Sequence, residues 1–222
     1  MKKLFKIQNE KQRPVRPSAG RKQAGMTYVE LIVVLGIFAV MSTIVVFNYG
    51  EFQAKVDVKN LASDIALKVV EAQKSSLSGK LPFPTPQSTW KPAYGVYFNS
   101  SSMPLDTDGI AFNKKFIYFA DIDNEKDYDG ETSSCTGECL DRIIITKNNY
   151  ISNVDMCTTD PCVSGSSPIN PLSITFTRPN SGASFYTNTE ITGPDYFQIT
   201  IKSPKTATAT IKIYPSGRIQ VN

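Results

Sequence analysis

Gly25-Met26-Thr27-Tyr28-Val29-Glu30 runs directly into Leu31-Ile32-Val33-Val34-Leu35-Gly36-Ile37-Phe38-Ala39-Val40-Met41-Ser42-Thr43-Ile44-Val45-Val46-Phe47. From Met26 to Phe47 the segment is 22 residues long and carries one charge, the carboxylate of Glu30 at its fifth position. A helix rising 1.5 Å per residue makes it about 33 Å long, enough to cross a bilayer core of about 30 Å. A carboxylate near the centre of such a segment costs roughly 2.5–3.5 kcal/mol, and less near an end. Glu30 therefore needs something to neutralise it. If the chain is cut after Gly25, the new amino group of Met26 supplies the missing positive charge.

The plainer alternative is a signal anchor or an uncleaved membrane helix. An ordinary secretory signal has a 7–15-residue apolar core and is cut behind it, beside small residues. In this chain the glycine precedes the apolar run and the glutamate lies just inside it. That order sets the segment apart from a secretory signal.

The stretch before the apolar run is a basic leader. Met1–Gly25 holds Lys2, Lys3, Lys6, Lys11, Arg13, Arg16, Arg21 and Lys22 against Glu10, a net +7. The whole chain is +4, which leaves −3 from Met26 onward. The basic character belongs to the leader and not to a working surface. Positive charge beside the first membrane segment keeps that side cytoplasmic and sends the C-terminal part outward. With Pro14, Pro17, Ser18 and Gly20 and no apolar periodicity, the leader is expected to be disordered.

Past Phe47 about 175 residues remain, room for a helix tail and one modest core. The chain has no histidine, so the usual general base and the commonest transition-metal ligand are missing. No Ser-x-x-Lys or paired-carboxylate arrangement replaces them, and an enzyme is not expected. The four cysteines, Cys135, Cys139, Cys157 and Cys162, fit disulfides in an oxidising compartment better than zinc.

From Glu51 helical periodicity resumes after a weak spot at Asn48-Tyr49-Gly50. Val58, Leu61, Ala62, Ile65, Val69 and Ala72 form one apolar stripe at spacings of three and four. Gly79 and Pro82 predict the stop. A continuous helix would be about 80 Å long. Four divisions follow: a leader over 1–25, a membrane and assembly helix over 26–50, an amphipathic helix over 51–80, and a β-rich head over 81–222. Pro82, Pro84 and Pro86 read as an extended linker, and the single Trp90 as packing against helix or linker.

Within the head, Tyr94–Asn99, Phe116–Ala120, Leu172–Thr177, Tyr196–Lys202 and Ala209–Tyr214 read as strands, with Arg218–Val221 closing after a Pro-Ser-Gly turn. Arg142–Thr146 and Tyr150–Val154 flank Lys-Asn-Asn and predict a hairpin. The expected class is α+β, a long N-terminal helix packed against an antiparallel sheet.

Three groups of residues in the head are candidates for chemistry. Asp121, Asp123, Glu125, Asp127, Asp129 and Glu131 place a carboxylate at every second residue. Such a run is either a solvated acidic loop or a calcium site, since calcium takes 6–8 oxygen ligands. It is not an EF-hand, whose sixth position is glycine; here Lys126 or Tyr128 falls there. Asp106-Thr107-Asp108-Gly109 reads as a turn. Lys202, Lys205, Lys212 and Arg218 form a basic region, either a solvated sheet face or a salt-sensitive DNA-binding patch. Four cysteines allow three pairings. A hairpin turning at Asn148-Asn149 would bring Cys135 to Cys162 and Cys139 to Cys157, whereas the competing pairing closes two small loops. The nested bridges constrain the unfolded chain more and are the ones expected.

The glycine–glutamate spacing ahead of an apolar helix resembles the type IV pilin family, which includes the pseudopilins of type II secretion. Met26 stands where phenylalanine is common in that family, and Tyr28 where leucine is. The head is loosely similar to the H-type pseudopilins and related minor pilins. The similar stretches are Leu61–Gln73, Phe119–Glu131 and Tyr214-Pro-Ser-Gly-Arg218.

The resemblance implies a pilin fold and cleavage after Gly25 by a prepilin peptidase that also N-methylates Met26. It implies that Glu30 meets the N-terminal amine of a neighbouring subunit during assembly. Partners would be an inner-membrane platform protein with its ATPase, other pilins or pseudopilins, and membrane lipid before assembly. The product would be a pilus or secretion pseudopilus filament with the head outside the cytoplasm. The alternative role is a tip or minor pilin that binds DNA or a surface ligand. No cofactor is required on either reading, with calcium as the one candidate.

Overall fold

The computed structural model describes residues 25–81, 92–103, 105–163, 165 and 167–222, with nothing placed for the side chain of Asn48. The expected leader, the proline linker and Trp90 lie outside these residues. The chain divides into two compact units at the Val45–Val46 bond, the second spanning Val46–Asn222. The described architecture is α+β: one helix, α1 (Tyr28–Ser78), and nine strands in two antiparallel sheets.

Asn48-Tyr49-Gly50 does not interrupt α1. In the first unit its large apolar side chains are exposed, Phe38 at 68% and Ile44 at 58% among them. This stretch makes α1 long and apolar enough to cross a membrane. In the second unit the stripe read from the sequence is the buried face: Val58, Ala62, Ile65, Val69 and Ala72 are almost wholly buried, and Leu61 partly so. The helix ends in a Schellman motif. Gly79 has φ +61, its N–H donates to Ser76 O at 2.9 Å, and Lys80 N–H donates to Ser75 O at 3.1 Å.

The first sheet has the order β3-β2-β1-β5-β6, built from β1 (Ala93–Phe98), β2 (Lys115–Asp121), β3 (Cys139–Ile144), β5 (Leu172–Phe176) and β6 (Ala183–Tyr186). The second has the order β4-β7-β8-β9, built from β4 (Tyr150–Cys157), β7 (Tyr196–Lys202), β8 (Thr208–Ile213) and β9 (Ile219–Val221). One apolar cluster joins the α1 stripe to both sheets through Tyr94, Phe98, Phe116, Tyr118, Phe197, Ile199 and Ile211.

Two expectations are corrected by this topology. A single sheet was anticipated, and there are two. The hairpin across 147–149 does not form, because β3 pairs with β2 and β4 pairs with β7. Lys147 (φ +59) and Asn148 (φ +58) turn the chain from one sheet to the other instead. The nested disulfides depended on that hairpin. The bridges are Cys135–Cys139 and Cys157–Cys162, two small loops at the starts and ends of strands in different sheets.

β2 is buried along its whole length because both its faces are covered. Phe116, Tyr118 and Ala120 face the main core, whereas Ile117 and Phe119 pack with Tyr128 from the loop between β2 and β3. Tyr128 anchors that loop: its ring lies 5.1 Å from Tyr97 and 5.3 Å from Phe119, and its N–H donates to Ser173 Oγ at 3.1 Å. At the far end, Gln73 Nε2 on α1 donates to Ser181 O at 2.7 Å and Gly217 O at 3.4 Å. Gly217, at φ +81, has no room for a Cβ against the Ser181 carbonyl. The closing turn is thus held against the helix.

Candidate functional site

Gly25, Met26 and Thr27 are exposed and precede the first turn of α1. Glu30 stands within that turn. Its N–H donates to Thr27 Oγ1 at 3.3 Å, and Leu31 N–H donates to Thr27 O at 3.1 Å, so Thr27 caps the helix. Thr27-x-x-Glu30 has the residue pattern of a capping box. A carboxylate in a first turn also faces the positive end of the helix dipole, worth about 0.3–1 kcal/mol at an exposed site. Glu30 therefore has a local structural use besides the one implied by assembly, and Thr27 is a contributor that the spacing argument overlooked.

The acidic run does not gather as an alternating row. Asn124 and Lys126 adopt φ +70 and +67, which breaks the period of two. The carboxylates whose oxygens come together within 4.8 Å are Asp121, Asp123 and Glu138. Of the residues read from the sequence as a calcium candidate, Asp121 and Asp123 belong to that group, Glu125, Asp127 and Asp129 do not, and Glu138 is a member that the sequence reading missed. Glu138 lies at the entry to β3, opposite the end of β2, where its carbonyl accepts the Ala120 N–H at 3.0 Å.

The group is held from both strand ends. Asp121 Oδ1 accepts the Asn124 N–H at 2.7 Å and Oδ2 the Lys126 N–H at 3.2 Å. Asp123 Oδ1 accepts the Glu125 N–H at 3.1 Å, and Glu138 Oε1 accepts the Ile122 N–H at 2.5 Å. Glu138 Oε2 is buried with no hydrogen-bond partner among the described residues. Burial, with the charges of Asp121, Asp123 and Asp129, pushes the Glu138 carboxyl up to about 8 against the pull of the Ile122 N–H. Burial, with the neighbouring Asp123, likewise pushes Asp121 to about 6 despite its two backbone donors.

A second acidic pair in the head is fully matched. Lys115 Nζ lies 2.5 Å from Asp106 Oδ2 and 3.2 Å from Asp108 Oδ2, and Arg142 Nη1 also pairs with Asp108. Thr132 donates to Asp106, and Arg142 reaches the Ser133 carbonyl. Asp106–Gly109 is the turn the sequence suggests, closed by Gly109 N–H to Asp106 O at 2.8 Å. Its carboxylates tie the β2–β3 loop to the strands.

Lys212 and Arg218 lie on two touching rings, Tyr196 and Tyr214, whose centres are 5.3 Å apart. Lys212 Nζ is paired with Asp160 Oδ1 at 2.6 Å and lies 4.6 Å from the Tyr196 ring centre. The Arg218 guanidinium stacks 3.8 Å from the Tyr214 ring centre. Lys205 Nζ lies against Gly50 of α1. Lys202 pairs across β7–β8 with Thr208, four residues along the strand from Lys212. At about 3.3 Å per residue that separates them by about 13 Å.

No protein-family model, curated protein or solved structure matches the chain.

Proposed function

We propose that this chain is a structural subunit of a type IV pilus or type II secretion pseudopilus, processed after Gly25 and assembled through the N-terminal part of α1. The observation that carries the reading is the placement of Glu30. It is a carboxylate in the first turn of an exposed apolar helix, five residues past an exposed, non-helical glycine. Cleavage there creates an ammonium group four residues before Glu30, which a neighbouring subunit displaced along the filament axis by about 6 Å would bring level with that carboxylate. An ion pair taken into an apolar filament interior is stable only when both charges are present, and removal of one leaves the other buried and uncompensated.

The work of the chain on this reading is structural and involves no reaction of its own. The apolar half of α1 sits in membrane lipid before assembly and in the filament centre afterwards, with the head outside the cytoplasm. Prepilin peptidase, platform protein, assembly ATPase and other pilins are the partners. The head resembles a pilin in having one helix packed on antiparallel strands, and this supports the reading at the level of architecture alone.

Glu30→Ala tests it. Membrane insertion is expected to be kept or improved, because a costly charge leaves the apolar segment. Incorporation into filaments is expected to fail. Thr27→Ala is the control for the capping role, because it weakens the helix start while leaving the charge in place. Unimpaired filament incorporation of Glu30→Ala would overturn the charge-pair account.

A further inference from the structure

We propose that Asp121, Asp123 and Glu138 form a binding site for a divalent cation of calcium's size, which fastens together the two ends of the loop between β2 and β3. Asp121 is the last residue of β2, and Glu138 immediately precedes β3. A single ion between them joins chain positions that the intervening loop residues hold apart in sequence.

The geometry fits calcium. Oxygens on opposite sides of a calcium ion, each about 2.3–2.6 Å from it, stand at most about 5 Å apart. The three carboxylates bring their oxygens within 4.8 Å of one another. All the donors are hard oxygens, which select calcium, magnesium or manganese over the softer transition metals. Asp121 spends one lone pair of each oxygen on a backbone N–H and retains the others for an ion.

Glu138 supplies the independent sign of a missing partner. The residue is 5% exposed, and its Oε2 has no hydrogen-bond partner among the described residues. Buried carboxylate oxygens are ordinarily matched by donors, by a cation or by water. The same head shows what matching looks like: part-buried Asp106 and Asp108 are neutralised by buried Lys115 and by Arg142. Among the described residues no lysine or arginine pairs with Asp121, Asp123 or Glu138, and the loop's own Lys126 reaches Glu190 instead. A divalent ion fills that role in the second acidic group.

The consequence is a loop locked over the outer face of the first sheet. The loop carries Tyr128, whose ring covers Ile117 and Phe119. The Cys135–Cys139 bridge ties the loop's final turn and the Ala120 N–H bond to Glu138 O pairs the strand ends, and the ion adds a side-chain clamp between Asp121 and Glu138.

The test uses the full chain, purified in detergent and stripped with chelator. Calcium and magnesium are added separately, with binding read by titration calorimetry and stability by thermal unfolding. Calcium is expected to bind at one site per chain and to raise Tm, and magnesium to do so at least tenfold more weakly. Glu138→Gln keeps an oxygen for the Ile122 N–H and is expected to weaken calcium binding tenfold or more. Asp123→Asn, at an exposed position, is expected to weaken it similarly without disturbing the fold. Superimposable melts in calcium and chelator with no binding heat would overturn the proposal. So would equal binding of magnesium, or wild-type calcium affinity in both variants.

Discussion

Tyr118 Oη donates to Ser75 Oγ at 2.9 Å in the interior, linking the central strand β2 to the last turns of α1. Burial pushes the tyrosine hydroxyl's pKa upward, so it remains a donor throughout the neutral range. The same ring lies 5.6 Å from Lys68 Nζ, which also pairs with Asp141 on β3 at 3.1 Å. Helix and first sheet are thus joined by polar contacts at the rim of the apolar contact made by Ile65, Val69 and Ala72.

Tyr118→Phe removes the hydroxyl and retains the ring. The expected loss is about 1 kcal/mol, the net value of one intramolecular hydrogen bond. In a domain of this size that corresponds to a Tm lower by about 2–4 °C. Thermal unfolding of the two proteins side by side checks it. An unchanged Tm would mean that Ser75 Oγ finds another partner at no cost.

The Lys115 cluster predicts a larger effect with a defined pH dependence. Lys115→Met leaves the part-buried Asp106 carboxylate without its cation while Asp108 keeps Arg142, and about 1–3 kcal/mol is expected to be lost at neutral pH. Although burial alone would raise both groups, hydrogen bonds from Lys115 and Thr132 to Asp106, and from the Ile110 N–H and Lys115 to Asp108, hold both carboxyls below their ordinary 3.8. A depressed carboxyl stabilises the fold above its unfolded value and loses that contribution as pH falls through the folded one. The gap between wild type and Lys115→Met should therefore be full near neutrality and shrink below about pH 3.8. Denaturant titrations at pH 7 and pH 3 measure both ends; a gap that does not narrow would refute the electrostatic account.

Peptide mapping without reduction should find Cys135 joined to Cys139 and Cys157 joined to Cys162. After cleavage at Arg142 and Lys147 the two bridged fragments should separate. A covalent link between them would mean nested bridges. Each small loop constrains the unfolded chain by about 2 kcal/mol in the chain-entropy treatment, so reduction should lower stability without abolishing the fold.

Much of this fold was legible because its signals are local. The stripe Val58–Ala72 has helical period and is buried as read, and Tyr196–Lys202 matches its strand residue for residue. β6 escaped notice because Ala183–Tyr186 is four residues among Ser, Gly and Thr. The division into two sheets was not legible, since the Lys147–Asn149 connection looks like a hairpin turn and the true partners of β3 and β4 are remote in sequence. The disulfide expectation failed with that hairpin. Glu138 was overlooked for a related reason: it stands alone between Gly137 and Cys139, and only the pairing of β2 with β3 brings it to Asp121. The Thr27–Glu30 capping pattern, by contrast, was present in the sequence and available to a reader looking for helix starts.

The central claim is most directly tested by N-terminal sequencing and intact mass of the protein isolated from cells that contain a prepilin peptidase. The account predicts a chain that begins at Met26, lacks residues 1–25 and carries a methyl group on its new amino terminus. A mature, membrane-resident protein that still carries Lys22 would contradict it.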